Sequence, residues 1–500
     1  MTTTPAKPLT ATRALLLGAL GATAAVALFV GLDLHPAASD AQTAAPAATR
    51  VVPADPGQIQ LSYAPVVKRA APAVVNIFAA KLVASGPRTM EEYLRQQFSG
   101  VAPPPRVARS LGSGVIVDAD GLIVTNSHVV GDATDILVSL ADRREYPAKI
   151  VFSDPRTDLA VLRIDTKGAQ LPTVELADSD AVEVGDIVLA IGDPFGIGQT
   201  VTHGIISALA RNGLGASDRQ FFLQTDAAIN PGNSGGALLD MRGRLIGINT
   251  MIASQTGNSV GIGFAIPSNM VRVFLKAAPS GKLVTGWIGA EGEGLTPDTA
   301  RAMGFETPRG VLLTSVAAGS PAADAGLKEG DVLVSVNGSD VANAGVLRYK
   351  IATEAVGSTV NIGIIRDGKP MTVPVKLEKP PENPPRNITV ITGNNILNGS
   401  KIANLSPAYA QELGLGFPEK GVVVIEISTS APALRLINLR PGDLIETVNG
   451  KDVRSVADVK AAVQSGTPAL RYRRASQTFD CTQAGNRFTC ETGGTPPSPR

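Results

Sequence analysis

Histidine and cysteine are the scarcest chemically versatile residues in this chain of 500. There are three histidines, His35, His128 and His203, and two cysteines, Cys481 and Cys490. A structural zinc site needs four clustered cysteine or histidine ligands, and neither such a cluster nor an H-E-x-x-H motif occurs in the sequence. No metal and no cofactor are expected. An excess of either charge is also missing. Lys plus Arg number 45 and Asp plus Glu 44, a net charge of +1, which argues against a general nucleic-acid binder with its basic surface. Charged residues make up 18%, below the roughly 25% of an average domain. In contrast, 52 glycines and 36 prolines are about half again the usual share and imply many turns and linkers. With 44% hydrophobic residues the chain as a whole is not disordered, and its length suggests three or four domains of roughly 150 residues, each able to bury a core.

Ala14 to Leu32 is an uncharged run of 19 residues, ALLLGALGATAAVALFVGL. As a helix it would span roughly 28 Å, close to the thickness of a bilayer core. Lys7 and Arg13 precede it and Asp33 follows it, so the charge bias puts the bulk of the chain outside the cytoplasm. Two readings stay open. One is a signal peptide cleaved after Ser39-Asp40-Ala41, and the other is a retained anchor giving inner-membrane association. Both imply export. Residues 1–41 are assigned to this segment and 42–59 to a linker, since Gln42 to Gly57 is rich in Ala and Pro.

The cysteines fit export. If Gly485-Asn486 is a two-residue hairpin turn, outward pairing sets Cys481 directly opposite Cys490, as a non-hydrogen-bonded pair with Cα atoms roughly 4.5 Å apart. That separation lies at the short end of the disulfide range, and a Cys481–Cys490 disulfide is the expectation.

Between Ala64 and Pro279 the runs VVNIFAAKLVA, GVIVDADGLIVT, DILVSL, LAVLRI, IVLAIG and RLIGINTMI read as strands of an all-β domain. Gly86 to Arg109 reads as a long inserted loop. The second half contains a repeat. GVLLTSVAAGSPAADAGLKEGDVLVSVNG starts at Gly310 and GVVVIEISTSAPALRLINLRPGDLIETVNG at Gly421, each reaching a Gly-Asp step, Gly330-Asp331 and Gly442-Asp443, and ending in Asn-Gly. Two modules of about 90 residues joined by Lys379-Pro380-Pro381-Glu382-Asn383-Pro384-Pro385 account for this. Gly363 to Lys369, GIIRDGK, has the spacing of a phosphate loop, but Pro370 stands where a Ser or Thr must reach magnesium. Asp367-Gly368 is read as a hairpin turn.

Three motifs carry chemistry. Ser234 sits in Asn230-Pro231-Gly232-Asn233-Ser234-Gly235-Gly236. The glycines permit unusual backbone torsions and let N–H groups converge beside the hydroxyl. A serine hydroxyl needs a base, and His128, in TNSHVV, follows the apolar strand GLIV. Asp158, in RTDLAVL, immediately precedes another. Singly, each could be a turn or core residue. Together, the order His, Asp, Ser is that of chymotrypsin-like double β-barrels and differs from subtilisins and α/β-hydrolases. The order also excludes an esterase or lipase reading.

TNSHVV, TDLAVL and GNSGGALLD, followed by the two glycine-rich repeats, resemble the HtrA/Deg (Do-like) exported serine proteases over roughly residues 60 to 475. The resemblance implies a mainly β fold. A chymotrypsin-like double β-barrel protease domain (60–280) would be followed by two PDZ domains (284–378 and 386–475), with a C-terminal hairpin and tail in 476–500. It makes Ser234 the nucleophile, His128 the general base and Asp158 the residue holding the imidazole, with the N–H groups of Gly232, Asn233 and Ser234 as the oxyanion hole. It implies that Trp287-Ile288-Gly289-Ala290 binds a peptide carboxylate, that Arg211 is a regulatory loop arginine, and that Tyr63 lies at a homotrimer interface. The expected activity is ATP-independent endoproteolysis of unfolded or damaged polypeptides, and the competing reading is a chaperone or PDZ adaptor. His203, in VTHGII, has no triad companion and is read as structural. Leu434 to Asn438 replaces the small Ala-Gly step of the first repeat, so no ligand contacts are carried to the second.

Overall fold

The computed structural model describes residues 62–83, 90, 97, 106–193, 198–211, 221–252, 259–415, 421–464, 469–474, 477–485 and 487–493. The apolar segment 14–32, the cleavage motif 39–41, the linker 42–57, most of the expected loop 86–109 and Asn486 lie outside these residues. Among the described residues no helix is long and apolar enough to cross a membrane.

After a first helix, α1 (Ala64–Ala70), six strands close a barrel in the order β1-β2-β3-β6-β5-β4. They are β1 (Val74–Val83), β2 (Arg106–Asp118), β3 (Leu122–Thr125), β4 (Asp135–Ser139), β5 (Glu145–Asp154) and β6 (Leu159–Ile164), with one helical turn, α2 (Ser127–Val130), after β3. GVIVDADGLIVT is the β2–β3 hairpin, with Val115 opposite Val124 and Ile116 opposite Ile123. β2 begins at Arg106, so the last four residues expected as loop pair with β1 instead. β5 is absent from the sequence reading because EYPAKIVFSD is largely solvent-facing and bulged between Ile150 and Phe152, which breaks its alternation.

The second barrel runs β10-β11-β12-β9-β8-β7, from β7 (Ile187–Gly192), β8 (Thr200–Arg211), β9 (Phe222–Thr225), β10 (Ala237–Leu239), β11 (Leu245–Ile252) and β12 (Gly263–Pro267). Helix α3 (Ser268–Ala277) follows and buries Met270, Val271 and Phe274. Phe274 stacks on Phe152 of β5 with ring centroids 4.6 Å apart, so the helix leaving the second barrel packs on the first.

The repeat becomes two sheets of the same wiring. The first follows β13-β14-β15-β17-β18, with β13 (Ala290–Gly294), β14 (Val311–Val316), β15 (Val332–Val336), β16 (Ser339–Asp340, beside β15), β17 (Thr359–Arg366) and β18 (Lys369–Lys376). Helices α4 (Pro297–Ala302), α5 (Pro321–Asp324) and α6 (Ala344–Thr353) accompany it. The second follows β19-β20-β21-β22-β24-β25-β26, with β23 beside β22, and carries α7 (Pro407–Leu413), α8 (Pro432–Leu436) and α9 (Val456–Val463). Its strands are β19 (Thr389–Val390), β20 (Ser400–Leu405), β21 (Gly421–Ile427), β22 (Leu444–Val448), β23 (Lys451–Asp452), β24 (Ala469–Arg474), β25 (Gln477–Ala484) and β26 (Arg487–Gly493).

The repeated Gly-Asp step has one role in both modules. The nearly buried Asp331 takes two bonds of 2.6 Å from Arg366, and Asp443 takes two of 2.7 Å from Arg474. Each carboxylate also accepts a loop N–H, from Lys328 and Arg440. Around Asp331, desolvation works to raise the acid's pKa, but the Arg366 guanidinium and the Lys328 N–H outweigh it and leave it lowered. GIIRDGK forms the β17–β18 turn, with Arg366 opposite Lys369.

One boundary shifts. β25 pairs with β24 as β18 pairs with β17, so the second module continues past residue 475 into the segment expected to be a separate tail. Cys481 lies in this fifth strand, buried in the module's core. β26 is an addition beyond it, paired with Cys481 opposite Cys490, and a disulfide joins the two. Cys490→Ser should loosen the added strand. The closed loop is short, so chain entropy accounts for at most about 3 kcal/mol. Hydrogen exchange should show lost protection in β25 and β26 and unchanged protection in both barrels; unchanged protection in β26 would mean that ladder bonds alone hold it.

Candidate active site

His128 is presented by the single turn α2, whose Val129 and Val130 are buried behind it while the imidazole is half exposed. Asp158 ends the β5–β6 turn with φ of 56°, a left-handed conformation costing a Cβ-bearing residue of order 1–3 kcal/mol. Neighbouring amides hold it there. Its carbonyl accepts from the Ser127 N–H (3.2 Å) and Asn126 Nδ2 (3.0 Å), and its carboxylate accepts from the His128 N–H (3.1 Å). His128 Nδ1 lies 2.9 Å from both carboxylate oxygens, and Thr250 Oγ1 donates to Oδ2 at 2.5 Å. An ionised carboxylate only accepts, so Nδ1 carries the proton and Nε2 is left as the basic nitrogen.

Ser234 comes from the other barrel, on the turn before β10. Its Oγ donates to the Thr250 carbonyl at 2.9 Å, and the hydrogen bond to His128 is not made in this arrangement. Thr250 thus touches both ends of the constellation. The turn is pinned peptide by peptide. The Gly232 carbonyl accepts from Ser113 Oγ (2.6 Å) and the Ser234 carbonyl from the Ser113 N–H (2.8 Å). On the N–H side, Asn233 donates to the Asn230 carbonyl (3.0 Å), Gly235 to Asn249 (2.8 Å) and Gly236 to Asn233 (2.9 Å). The Asn233 N–H is therefore spent within the turn and is not an open donor, contrary to the expectation. The N–H groups of Gly232 and Ser234 have no acceptor among the described residues. Beside the turn, burial raises the pKa of the Asp193 carboxyl above its usual value while the Gly198 N–H acts against that rise.

The structure brings His128, Asp158 and the Ser234 turn to the cleft between the barrels, whereas the other expected residues lie apart. Trp287 pairs with Glu378 through two backbone hydrogen bonds, closing the first repeat's sheet. Ile288 and Gly289 leave their N–H groups without acceptors among the described residues and face a cavity shared with Leu347 and Ile351 of α6. Gly289 has φ of 73°, and a Cβ there would lie 2.2 Å from Ser320 Cβ, so only glycine fits. α7 of the second module borders the same cavity. Gln411 bonds Thr285 at 2.8 Å, and Arg156, on the turn that carries Asp158, donates to the Gln411 carbonyl at 3.1 Å and to that of Glu412. On the far side of α6, Tyr349 and Lys350 bond Asp180 of the second barrel at 3.0 and 2.8 Å. The backbone of Arg211 ends β8 and pairs with Phe222. The adjacent Phe221 packs on Tyr349 with ring centroids 5.3 Å apart. Tyr63 packs on His203, centroids 5.4 Å apart. Among the described residues no group of three acidic, histidine or cysteine side chains could hold a metal ion.

Sequence reasoning missed Thr250 and Ser113. Their signals were faint: an Asn249-Thr250 polar pair inside the apolar LIGINTMI, and a serine between glycines ahead of an apolar strand.

Two family models match the chain, a trypsin-like peptidase domain over residues 112–248 and a PDZ domain over 286–377. The periplasmic serine endoprotease DegP of Escherichia coli K12 is 38% identical over 488 residues, covering 92% of this chain and 98% of that protein. The periplasmic pH-dependent serine endoprotease DegQ of the same strain is 38% identical over 456 residues, covering 89% and 94%. A probable periplasmic DegP-like endoprotease of Chlamydia trachomatis is 40% identical over 357 residues, covering 71% and 70%.

The Ser234 turn makes a structural prediction. Gly235 has φ of 84°, and a Cβ there would lie 2.1 Å from the Ser113 carbonyl oxygen. Gly235→Ala combines left-handed strain with overpacking and should cost about 2–5 kcal/mol, read as a lower midpoint in thermal unfolding. An unchanged midpoint would mean that the turn can move off Ser113 freely.

Proposed function

Because the chain belongs to the HtrA/Deg family of serine endoproteases, we propose that it cleaves unfolded or damaged polypeptides in the periplasm through Ser234, His128 and Asp158. The observation that carries the reading is the buried Asp158 carboxylate gripping Nδ1 of His128 across the cleft from Ser234. Asp158 orients the ring and stabilises the imidazolium. Nε2 takes the Ser234 proton as Oγ attacks the scissile carbonyl, then returns it to the leaving amine. Oγ must first leave the Thr250 carbonyl, a rotation about one side-chain bond; loose catalytic hydrogen bonds are common before substrate arrives. The N–H groups of Gly232 and Ser234 receive the developing oxyanion.

The first PDZ domain takes a peptide's C-terminal carboxylate at Ile288 and Gly289, the peptide adding as a strand beside β13. α6 lines that groove with Leu347 and Ile351 and meets the second barrel through Tyr349 and Lys350. Arg211, next to the Phe221–Tyr349 contact, reports its occupancy to the nucleophile turn. The working assembly is a homotrimer or a multiple of it, with Tyr63 at the interface, and residues 1–41 act as a signal peptide or inner-membrane anchor. A chaperone or adaptor without proteolysis is the competing role, and the preserved Asp158–His128 geometry speaks against it.

Ser234→Ala and His128→Ala should each abolish degradation of casein by the purified full chain, with a turnover loss on the order of 10⁶, while leaving the fold intact by circular dichroism. Residual cleavage by Ser234→Ala protein free of host protease would reject the nucleophile. A peptide ending in an apolar carboxylate should raise cleavage of a short reporter substrate, and Arg211→Ala should blunt the rise without weakening peptide binding. A flat rate with saturable binding would reduce the first PDZ domain to a tether.

A further inference from the structure

Ser113 lies in Leu111-Gly112-Ser113-Gly114, on β2 of the first barrel, and is fully buried. It has no place in the proton path from Ser234 to His128, yet every polar group it owns is committed to the active-site framework. Its Oγ donates to the Gly232 carbonyl (2.6 Å) and accepts from the Asp193 N–H (2.8 Å). Its N–H donates to the Ser234 carbonyl (2.8 Å), and its carbonyl accepts from Thr125 Oγ1 (2.7 Å), three residues before His128. Asp193 spends its one N–H on this hydroxyl, which leaves the hydroxyl proton for Gly232.

A trans peptide is a rigid plane with its C=O and N–H on opposite edges. The plane joining Gly232 to Asn233 is held at both edges, by Ser113 Oγ and by the Asn230 carbonyl, and the plane joining Ser234 to Gly235 by the Ser113 N–H and the Asn249 carbonyl. The two uncommitted amides, Gly232 and Ser234, belong to the peptide planes immediately before these two. Gly232 has φ of 99°, where glycine resists rotation least, so the neighbouring plane needs an outside anchor. The backbone half of that anchor is available to any residue at 113, and the hydroxyl half requires serine or a close analogue.

We propose that Ser113 is a positioning residue for the oxyanion hole, its hydroxyl holding the Gly232–Asn233 peptide so that the Gly232 N–H stays aimed at the reacting carbonyl. The inference rests on Ser234 as nucleophile and adds a residue from the opposite barrel that never touches substrate. Loss of the hydroxyl lets the plane librate or flip, and the cost appears only where the oxyanion forms. Losing one oxyanion donor outright costs about 10²–10³ in turnover; misaiming it should cost about 10- to 100-fold.

The test uses the full chain as parent, Ser113→Ala and Ser113→Cys, with a short reporter peptide, a peptide boronic acid and the matching peptide amide. The boronate forms a tetrahedral adduct with an oxygen in the hole, and the amide binds without one. Expected are a kcat reduced about 10- to 100-fold in Ser113→Ala and less in Ser113→Cys, whose thiol is a weak donor. Boronate affinity should fall in step with kcat, while KM and amide affinity stay within about twofold. A kcat within twofold of the parent, or a loss shared equally by KM and amide affinity, overturns the proposal. If Ser113→Ala melts below the assay temperature, Ser113→Cys decides by the same comparison; if both do, the residue is structural and the proposal falls. Fluorophosphonate labelling of the parent separates the two claims. No label on Ser234 rejects the nucleophile, whereas labelled Ser234 with an unaffected Ser113→Ala rejects only the role of Ser113.

Discussion

A carboxylate buried where two barrels meet must have its hydrogen bonds supplied by both. Asp158 comes from the first barrel and draws on His128 and its backbone there, but its remaining donor, Thr250 Oγ1, comes from β11 of the second. An unpaired charge at such depth would cost several kcal/mol, so the barrels are held in the one mutual position that satisfies it. The same Thr250 accepts the Ser234 hydroxyl on its carbonyl. Position of Ser234, orientation of the His128 ring and docking of the barrels are therefore one problem with one solution. Phe274 stacking on Phe152 adds apolar contact to the same junction without specifying its register as the polar bonds do.

The nucleophile turn obeys a similar economy. Seven backbone groups of Gly232 to Gly236 are committed, the N–H groups of Asn233, Gly235 and Gly236 and the carbonyls of Gly232, Asn233, Ser234 and Gly236, each bonded within the turn, to β11 or to Ser113. Among the described residues, the N–H groups on either side of Asn233, those of Gly232 and Ser234, have no acceptor. A buried N–H without an acceptor is normally a defect. In the proposed mechanism the two beside the Ser234 hydroxyl serve as a prepared electrostatic site, whose reorganisation cost is met during folding. The left-handed torsions of Gly232 and Gly235 make the turn possible, and the bonds to Ser113 remove the freedom that those glycines would otherwise keep.

Much of this was legible in the sequence. The residues of the proposed triad stand in short motifs because each needs a local backbone: a helical turn for His128, a strand entry for Asp158, a glycine turn for Ser234. The hairpins at Asp367-Gly368 and Gly485 were legible because turn chemistry fixes register over a few residues, as the Asp331–Arg366 and Asp443–Arg474 pairs were not. The bulged, half-exposed β5 and β8 escaped notice because their apolar residues do not alternate cleanly. The end of the second module was misplaced for a related reason. RYRRASQTFDC holds as many charged residues as apolar ones, which masks the strand pattern, yet among its described residues Tyr472, Thr478 and Cys481 are buried and Phe479 stacks on Tyr472 at 4.9 Å.

What the sequence hides is long-range and polar. Ser113 meets Gly232 across 119 residues, and Thr250 meets Asp158 across 92. A serine between glycines looks the same in a turn as in a clamp, because its meaning resides in the partner. Hydrophobic patterning could assemble the barrels with many side chains at position 113, since burial is roughly indifferent to shape-conserving exchange. A hydrogen bond to one carbonyl is not indifferent in that way. The geometry of the candidate site is thus written in a few buried polar residues, whose partners are chosen by hydrogen bonding rather than by apolar pattern. The Arg156 guanidinium extends that logic outward. Anchored to Asp154 at 3.0 Å, it donates to the carbonyls of Gln411 and Glu412 in the last turn of α7, where a helix has acceptors left over and where the Gln411 carbonyl also takes the Gly414 N–H at 3.3 Å. The turn bearing Asp158 and the second PDZ-like module are therefore joined by one guanidinium that Asp154 holds on one side and two α7 carbonyls receive on the other.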